Sequence, residues 1–165
     1  MKLEEAKEKF VLAWGTFGTN WGINKTMAQA HALLLVSSVP ISADDIMGQL
    51  NISRGNANMN IRALIDWGLV YKEQKIGERR EYFLAEKDIW TVIRQIITHR
   101  KRIELEPALQ VLGEVQRVEE EGNEKEQFIR MIQEIELFSK NADVLLEKLI
   151  EADAAWLMGT FLKMI

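Results

Sequence analysis

The sequence predicts a mostly α-helical chain with one small β-hairpin, and three observations favour that fold class. Apolar residues recur at three- and four-residue steps along most of the chain, which is the spacing of helices with one buried face. Only two prolines occur in 165 residues. Two short extended runs, 69–74 and 81–84, are separated by a segment with a glycine turn, which is typical of a hairpin.

The composition excludes several classes of protein. With 47% hydrophobic and 28% charged residues the chain is typical of a globular domain. It has no cysteine, so a disulfide framework, a thiolate zinc site and a thiol redox switch are excluded. The longest apolar runs are too short to span a bilayer, and the amino terminus lacks the apolar core of a signal peptide. We therefore expect a cytoplasmic protein without a membrane partner.

Basic residues are concentrated in one part of the chain. Residues 1–102 carry 15 Lys and Arg against 11 Asp and Glu, whereas residues 103–165 carry 6 against 14. The excess is largest within residues 51–102, with 11 basic and 6 acidic residues. A net charge of −4 therefore does not exclude nucleic acid as a partner.

Four helices are predicted before the hairpin. The first two cover residues 3–22 and 25–38, and Pro40 ends the second because proline disfavours helix at the preceding residue. Ser42 is a favourable N-cap for a third helix through Leu50. Ser53 caps the fourth in the same way, and the left-handed conformation available to Gly68 closes it.

The fourth helix is predicted to bury one face, and an angle of 100° per residue assigns its residues to the two sides. The predicted buried residues are Ala57, Ile61, Leu64, Ile65 and Gly68. The predicted outward residues are Gly55, Asn56, Met59, Arg62 and Ala63.

Apolar helical spacing returns after the hairpin. A stripe is predicted to be buried from Asp88 onward: Ile89, Val92, Ile93, Ile96, Ile97 and Ile103. Pro107 suits the first turn of a helix over 108–118. Two further helices are predicted at about 126–139 and 142–164.

The order of these elements predicts a winged helix-turn-helix, in which the second helix of the motif enters the major groove of DNA. Three asparagines and two arginines lie within residues 54–62. Asparagine can donate to and accept from one edge of adenine, and arginine can bridge guanine or hold phosphate. Ser53 and the free amides at its helix start suit a phosphate. The hairpin tip adds Lys75, Arg79 and Arg80.

The segment ISADDIMGQLNISRGNANMNIRALIDWGLVYKE resembles the GbsR-type branch of the MarR superfamily of transcriptional regulators. The resemblance extends to two neighbouring segments, WGTFGTNWGINKTMAQAHALLL before it and GERREYFLAEKDIWTVIRQIITHRKRIELEP after it. It covers about two-thirds of the chain. It implies a homodimeric repressor or activator, repression being favoured, of the kind that controls choline uptake and glycine betaine production with choline as effector. The recognition residues that it implies are Ser53, Arg54, Asn56, Asn58, Asn60 and Arg62, with Arg79 and Arg80 in the wing.

The apolar stripes of residues 10–21 and 126–164 exceed what a winged helix needs for its own core, which favours a homodimer. Two-fold pairing would place two recognition helices about 34 Å apart on a palindromic operator. We therefore expect three regions: a dimerisation helix at 1–24, the DNA-binding domain at 25–88, and a dimerisation and effector region at 89–165.

Four aromatic residues could form an effector site: Trp14, Phe17, Trp21 and Trp156. Their ring faces could cage a quaternary ammonium ion, with a carboxylate such as Asp153 beside them. Aromatic residues at helical spacing are nevertheless usually core or interface residues, and that alternative stays open.

Two other functions remain possible. The winged helix could be a protein-interaction module that does not read DNA, and the chain could be a small ligand-binding protein or an enzyme. No nucleophile with a base, phosphate loop or acidic metal cluster is found in the sequence, so we expect neither catalysis nor a cofactor. His31 and His99 lack metal-ligand spacing, so no metal site is predicted, and His31 is expected in the core or an interface.

Overall fold

The structure is a computed structural model that describes residues 1–74 and 76–152. The predictions for Lys75, Asp153 and Trp156 lie outside these residues. The chain forms two compact units, Met1–Val92 and the residues from Ile93 onward.

The first unit has helices and strands in the predicted order. The helices are α1 (Leu3–Asn20), α2 (Lys25–Val36), α3 (Ala43–Leu50) and α4 (Arg54–Asp66). The strands are β1 (Ile41–Ser42), β2 (Val70–Gln74) and β3 (Glu81–Ala85). Helix α5 (Ile89–Arg100) begins in this unit. The mostly helical fold class with a small hairpin is therefore confirmed.

Helices α1 and α2 approach each other closely because α1 has glycine where they meet. A Cβ atom built on Gly18 would lie 2.5 Å from the Cβ of Ala28, and one on Gly15 would lie 2.6 Å from Cγ of Gln29. A side chain at Gly18 would therefore require the two helices to shift, whereas one at Gly15 would displace the Gln29 side chain.

Local hydrogen bonds fix the starts of the helices in the motif. The Asn24 side chain accepts from the Met27 amide at 3.1 Å at the start of α2. At α3, the buried Ser42 hydroxyl accepts from the Asp45 amide while an Asp45 oxygen accepts from the Ser42 amide, forming a capping box. The Ser42 hydrogen bonds also lower the pKa of Asp45. The predicted caps at Ser42 and Ser53 are confirmed.

Helix α4 lies across the core of the first unit, where Ala57, Ile61 and Leu64 are fully or almost fully buried. They share this core with Leu34 of α2 and Ile46 of α3. The prediction that Ile65 is buried is wrong, since 36% of it is exposed. It follows Leu64 by one residue and so points about 100° away from the core.

The three strands form an antiparallel sheet in the order β1-β3-β2. Ile41 of β1 lies opposite Phe83, and Val70 of β2 lies opposite Ala85. Val70, Phe83 and Ala85 are buried, so one side of the hairpin belongs to the core. The hairpin predicted between residues 69 and 84 is confirmed, and β1 adds a third strand that was not predicted.

Lys87 joins the end of the hairpin to the end of α2. Its ammonium group donates to the carbonyl oxygens of Leu34, Leu35 and Ser37 at 2.8, 2.6 and 2.8 Å. These carbonyls lie at the carboxyl end of the helix, where a positive charge is favourable. Lys87 therefore holds β3 and α2 in a fixed relation.

The second unit contains the rest of α5, a π-helical turn at Lys101–Leu105, α6 (Glu106–Glu114) and α7 (Asn123–Glu151). Lys101 pairs with Glu106 at 3.2 Å, with Asp143 at 3.2 Å and with Glu147 at 2.7 Å. These carboxylates, Glu147 foremost, raise its pKa. The ion pairs join the π-helical turn to both α6 and α7.

Two predictions about the carboxyl-terminal half are wrong. Residues 126–151 belong to one continuous helix, not to two helices separated near residue 140. The stripe after Asp88 was predicted to be buried, but in the described part of the single chain Val92 is its only buried residue, and Ile89, Ile93 and Ile103 are exposed.

In residues 1–74 and 76–152, none of the helices combines the length and the apolar content that a transmembrane segment requires.

We expect Gly18→Ala to lower the free energy of unfolding by about 1–3 kcal/mol, because the added methyl group overpacks the contact with Ala28. Urea unfolding followed by circular dichroism measures the change. Gly48→Ala is the matched control: nothing lies within 4 Å of a Cβ at this position in α3, so alanine should stabilise the protein by about 0.5–1 kcal/mol. A Gly18→Ala variant as stable as the wild type would contradict the close approach of α1 and α2.

Candidate nucleic-acid interface

Helix α4 exposes a polar stripe beside its buried side. Arg54, Asn58 and Arg62 follow one another at four-residue intervals, and all three are exposed. Gly55 and the exposed Met59 lie beside them. The stripe is exposed because Ala57, Ile61 and Leu64 turn the other side of the helix into the core.

The start of α4 carries its own polar groups. The Ser53 hydroxyl oxygen accepts from the amide of Asn56 at 3.3 Å, so it serves as the helix cap. Ser53 is exposed, and its O–H group remains able to donate to an incoming group. The positive end of the helix dipole lies at the same place.

Asn60 does not belong to this exposed stripe. Only 3% of it is exposed, and its Nδ2 donates to the Asn56 backbone carbonyl at 2.8 Å and to the Asn56 side-chain oxygen at 2.6 Å. Asn60, which was predicted to bind DNA, thus lies on the buried side of α4 that also carries Ala57 and Ile61, apart from the exposed residues. Asn56 is half-buried and uses its side-chain oxygen in this contact, so its predicted outward orientation holds only in part.

The tip of the hairpin carries the predicted wing arginines. Arg79 is exposed, and Arg80 immediately precedes β3. Gly77 has φ +85°, which glycine adopts without strain, so it permits the turn. The hydroxyl of Tyr82 donates to Glu78 at 2.6 Å, which ties the loop to β3. These contacts hold the part of the wing near β3 in a defined place.

The structure brings Arg54 and Asn58 of α4 together with Arg80 of the wing. All three line a shallow cleft of about 170 Å³ that is completed by Ala43, Asp44 and Glu81. Asp44 Oδ1 accepts from Arg54 Nη2 at 3.1 Å, and Asp44 Oδ2 lies 3.7 Å from Arg80 Nη2. One carboxylate on α3 thus pairs with an arginine from each of the two predicted reading elements.

Asp44 was not predicted as a residue of this cleft. Asp44 lies in the first turn of α3, where the helix dipole favours a carboxylate. Ten residues separate it from Arg54 and many more from Arg80, so no helical or strand spacing relates them. No local signal in the sequence therefore places Asp44 beside the two arginines.

The aromatic residues predicted as an effector site have different surroundings. Trp14 packs on Phe10 at a centroid distance of 5.4 Å and on His31 at 6.4 Å. Phe17 and Trp21 are instead exposed. His31 is buried, and burial, followed by the charge of Lys87, lowers its pKa to about 4. His31 is therefore a neutral core residue near Trp14 at physiological pH, as expected for a histidine in the core.

The fold is shared with a protein of known structure. A structure described as the crystal structure of a transcriptional regulator superposes with a TM-score of 0.65 over 88% of this chain and 95% of that chain, at 19% sequence identity. No protein-family model matches the sequence, and a search of curated proteins finds no significant match. The chain has a winged-helix-like fold, with a long helix after the wing.

We expect Asn60→Ala to lower the free energy of unfolding by about 1–3 kcal/mol, because it removes a buried side chain and its two hydrogen bonds to Asn56. Asn58→Ala is the matched control on the same helix and should change stability by less than about 0.5 kcal/mol, since Asn58 is exposed. Thermal and urea unfolding measure both. Equal effects of the two substitutions would contradict the division of α4 into a structural and an exposed side.

Proposed function

We propose that the protein is a homodimeric, sequence-specific DNA-binding transcriptional regulator. One observation carries this proposal. Helix α4 buries its apolar side and exposes Arg54, Asn58 and Arg62 in a row, at the place where the wing supplies Arg80. The similarity to the structure of a transcriptional regulator supports the same conclusion.

The exposed side chains suit the two tasks of a DNA interface. The side-chain amide of Asn58 has a donor and an acceptor that complement the N7 acceptor and the N6 donor of adenine in the major groove. Arg62 can bridge guanine or hold a phosphate. Ser53, Arg54, Arg79 and Arg80 suit phosphate oxygens, with Arg54 and Ser53 at a helix start where anions are favoured. Gly55, which has nothing within 4 Å of its Cβ position, leaves room for the DNA backbone to approach.

Exposed apolar surface supports the homodimer. Helix α7 spans 29 residues and, in the part of the chain that the structure describes, none of its residues is buried in the single chain. Large apolar side chains are exposed along it: Phe128, Met131, Ile135, Leu137, Phe138, Val144 and Leu145. Helix α1 exposes Leu12 and Phe17, and Trp21 directly after the helix is exposed as well. Surface of this kind marks an interaction site, and a second copy of the chain is the partner that we propose.

Each of the three predicted regions has a role in the proposed dimer. We propose that residues 1–24 and 89–165 pair the two chains and that residues 25–88 bind DNA. Two copies of α4 would then lie about 34 Å apart, which matches successive major grooves on one side of a duplex.

We further propose, from the resemblance to the GbsR-type branch, that the protein is a repressor controlled by a quaternary ammonium compound such as choline. The aromatic residues Trp14, Phe17, Trp21 and Trp156 are the candidates to bind its cationic group. Such a ligand releases DNA only if it binds the two dimer geometries with unequal affinity.

A protein-interaction module is the second candidate function. Two observations favour it. The carboxylate of Asp44 reduces the positive charge that Arg54 and Arg80 bring to the cleft, and the apolar Met59 is exposed beside Asn58 on α4. A salt titration separates the two functions. Binding through several phosphates should weaken about tenfold or more between 50 and 200 mM salt, whereas apolar docking should not.

Arg62→Ala tests the DNA-binding proposal most simply. The probe is a duplex enriched by the wild-type protein from a random-sequence pool. We expect the substitution to weaken binding to this duplex by about 1–3 kcal/mol, because an exposed arginine that contacts a base or a phosphate is lost. Fluorescence anisotropy at fixed salt measures the affinity.

Arg117→Ala is the matched control, since Arg117 is exposed and lies after α6, outside the candidate interface. It should bind the duplex as the wild type does. Light scattering should give twice the 19.0 kDa chain mass for both variants. Unchanged affinity of Arg62→Ala would move the interface away from α4, and a stable monomer would overturn the proposed dimer.

A further inference from the structure

Asp44 contacts both reading elements through one carboxylate. It lies in the first turn of α3, and its two oxygens face different partners. Oδ1 accepts from Nη2 of Arg54, the first residue of α4, at 3.1 Å. Oδ2 lies 3.7 Å from Nη2 of Arg80, which leads into β3. The carboxylate therefore links α3, α4 and the wing within a single cleft.

Neighbouring acidic groups are already used in other contacts. Asp45 is bound to Ser42 in the capping box at the start of α3. Glu81, which also lines the cleft, pairs with Lys72 across the hairpin. Among the carboxylates that line the cleft, Asp44 is thus the one whose ion pairs join α4 to the wing.

Stability does not explain this arrangement. The side chains are 46% exposed for Asp44, 73% for Arg54 and 57% for Arg80, and ion pairs at such exposure contribute little to folding. A carboxylate on a surface that faces phosphates also opposes binding by charge repulsion. Its position beside two exposed arginines therefore calls for another reason.

We propose that Asp44 is a specificity-determining positioning residue of the DNA interface, a role that rests on the proposed function. Its two ion pairs favour one distance and orientation between the Arg54 and Arg80 guanidinium groups. A duplex whose groove presents its acceptors at matching places binds both arginines without rearrangement. A duplex of another sequence gains contacts only by pulling the arginines away from Asp44.

The charge of Asp44 acts in the same direction. Binding to DNA of any sequence depends almost entirely on phosphate neutralisation by Lys and Arg. Asp44 lowers the charge of the group formed with Arg54 and Arg80 from two positive charges to one. It therefore weakens attraction to all phosphates, and fixed geometry compensates for that loss on the matching sequence alone.

The test compares two duplexes, one enriched by the wild-type protein from a random-sequence pool and one of scrambled sequence. For Asp44→Asn we expect binding to the scrambled duplex to tighten about threefold to tenfold, with a salt slope steeper by about one. Binding to the enriched duplex should change less than about twofold. The ratio of the two affinities, which a merely structural role would not change, should fall several-fold.

Three control variants sharpen the comparison. Asp66→Asn makes the same charge change at the exposed, opposite end of α4 and should leave the ratio unchanged. Asp44→Glu keeps the carboxylate and should retain most of the discrimination. In a background of Arg54→Gln and Arg80→Gln, Asp44→Asn should no longer alter the ratio, because the groups that it positions are gone. Circular dichroism confirms that each variant is folded.

Several outcomes would overturn the proposal. Equal tightening on both duplexes, or no change on either, would show that Asp44 contributes no discrimination although the DNA-binding function holds. If Asp44→Asn lowers the affinity for the enriched duplex and does not raise it for the scrambled duplex, Asp44 itself contacts a base. If the wild-type protein enriches no duplex, the proposed function is wrong and this proposal is wrong with it.

Discussion

The one-sided burial of α4 determines what the first unit can present to a partner. Ala57, Ile61 and Leu64 are held in the core, and rotating the helix to bury other residues would expose all three to water. Burying each large apolar side chain contributes about 1.5–3 kcal/mol, so the rotation of α4 about its axis is strongly fixed. Arg54, Asn58 and Arg62 are exposed as a consequence. The close contact of α1 with α2 and the attachment of Lys87 to the end of α2 stabilise the surroundings in which this burial occurs.

The polar groups of the motif are divided between structural and exposed roles. Ser42, Asp45 and Asn60 form hydrogen bonds within the protein. Ser42 and Asp45 bond to each other's backbone amides at the start of α3, and Asn60 donates to the Asn56 carbonyl. Arg54, Arg62 and Arg80 remain at the surface, and Asp44 pairs with two of them. In the proposed function this division matters because a base-reading group must be both free to bond and held in place. A cleft in which a carboxylate orients exposed arginines meets both conditions.

Most helices and strands could be predicted because their signals are local. Serine caps, Gly68 and the extended run before Gly77 each act over a few residues, and the structure has helices and strands close to the predicted positions. The resemblance implied that Asn60 reads DNA, and its burial was not predicted, although Asn56 four residues earlier offers a partner on the same side of the helix. The break predicted near residue 140 is absent because no proline or glycine interrupts the helix there. The role of Asp44 depends on contacts between distant segments, which no local pattern reveals.

The most direct test of the account is to locate the surface that contacts a duplex. Backbone amide shifts of the deuterated, ¹⁵N-labelled protein can be followed while a duplex enriched by the protein is added. The proposed contact of α4 and the wing with DNA predicts that the largest changes occur at residues 53–62 and at the wing residues 76–80. Changes confined to α6 and α7, or none at a duplex concentration that saturates binding, would contradict it.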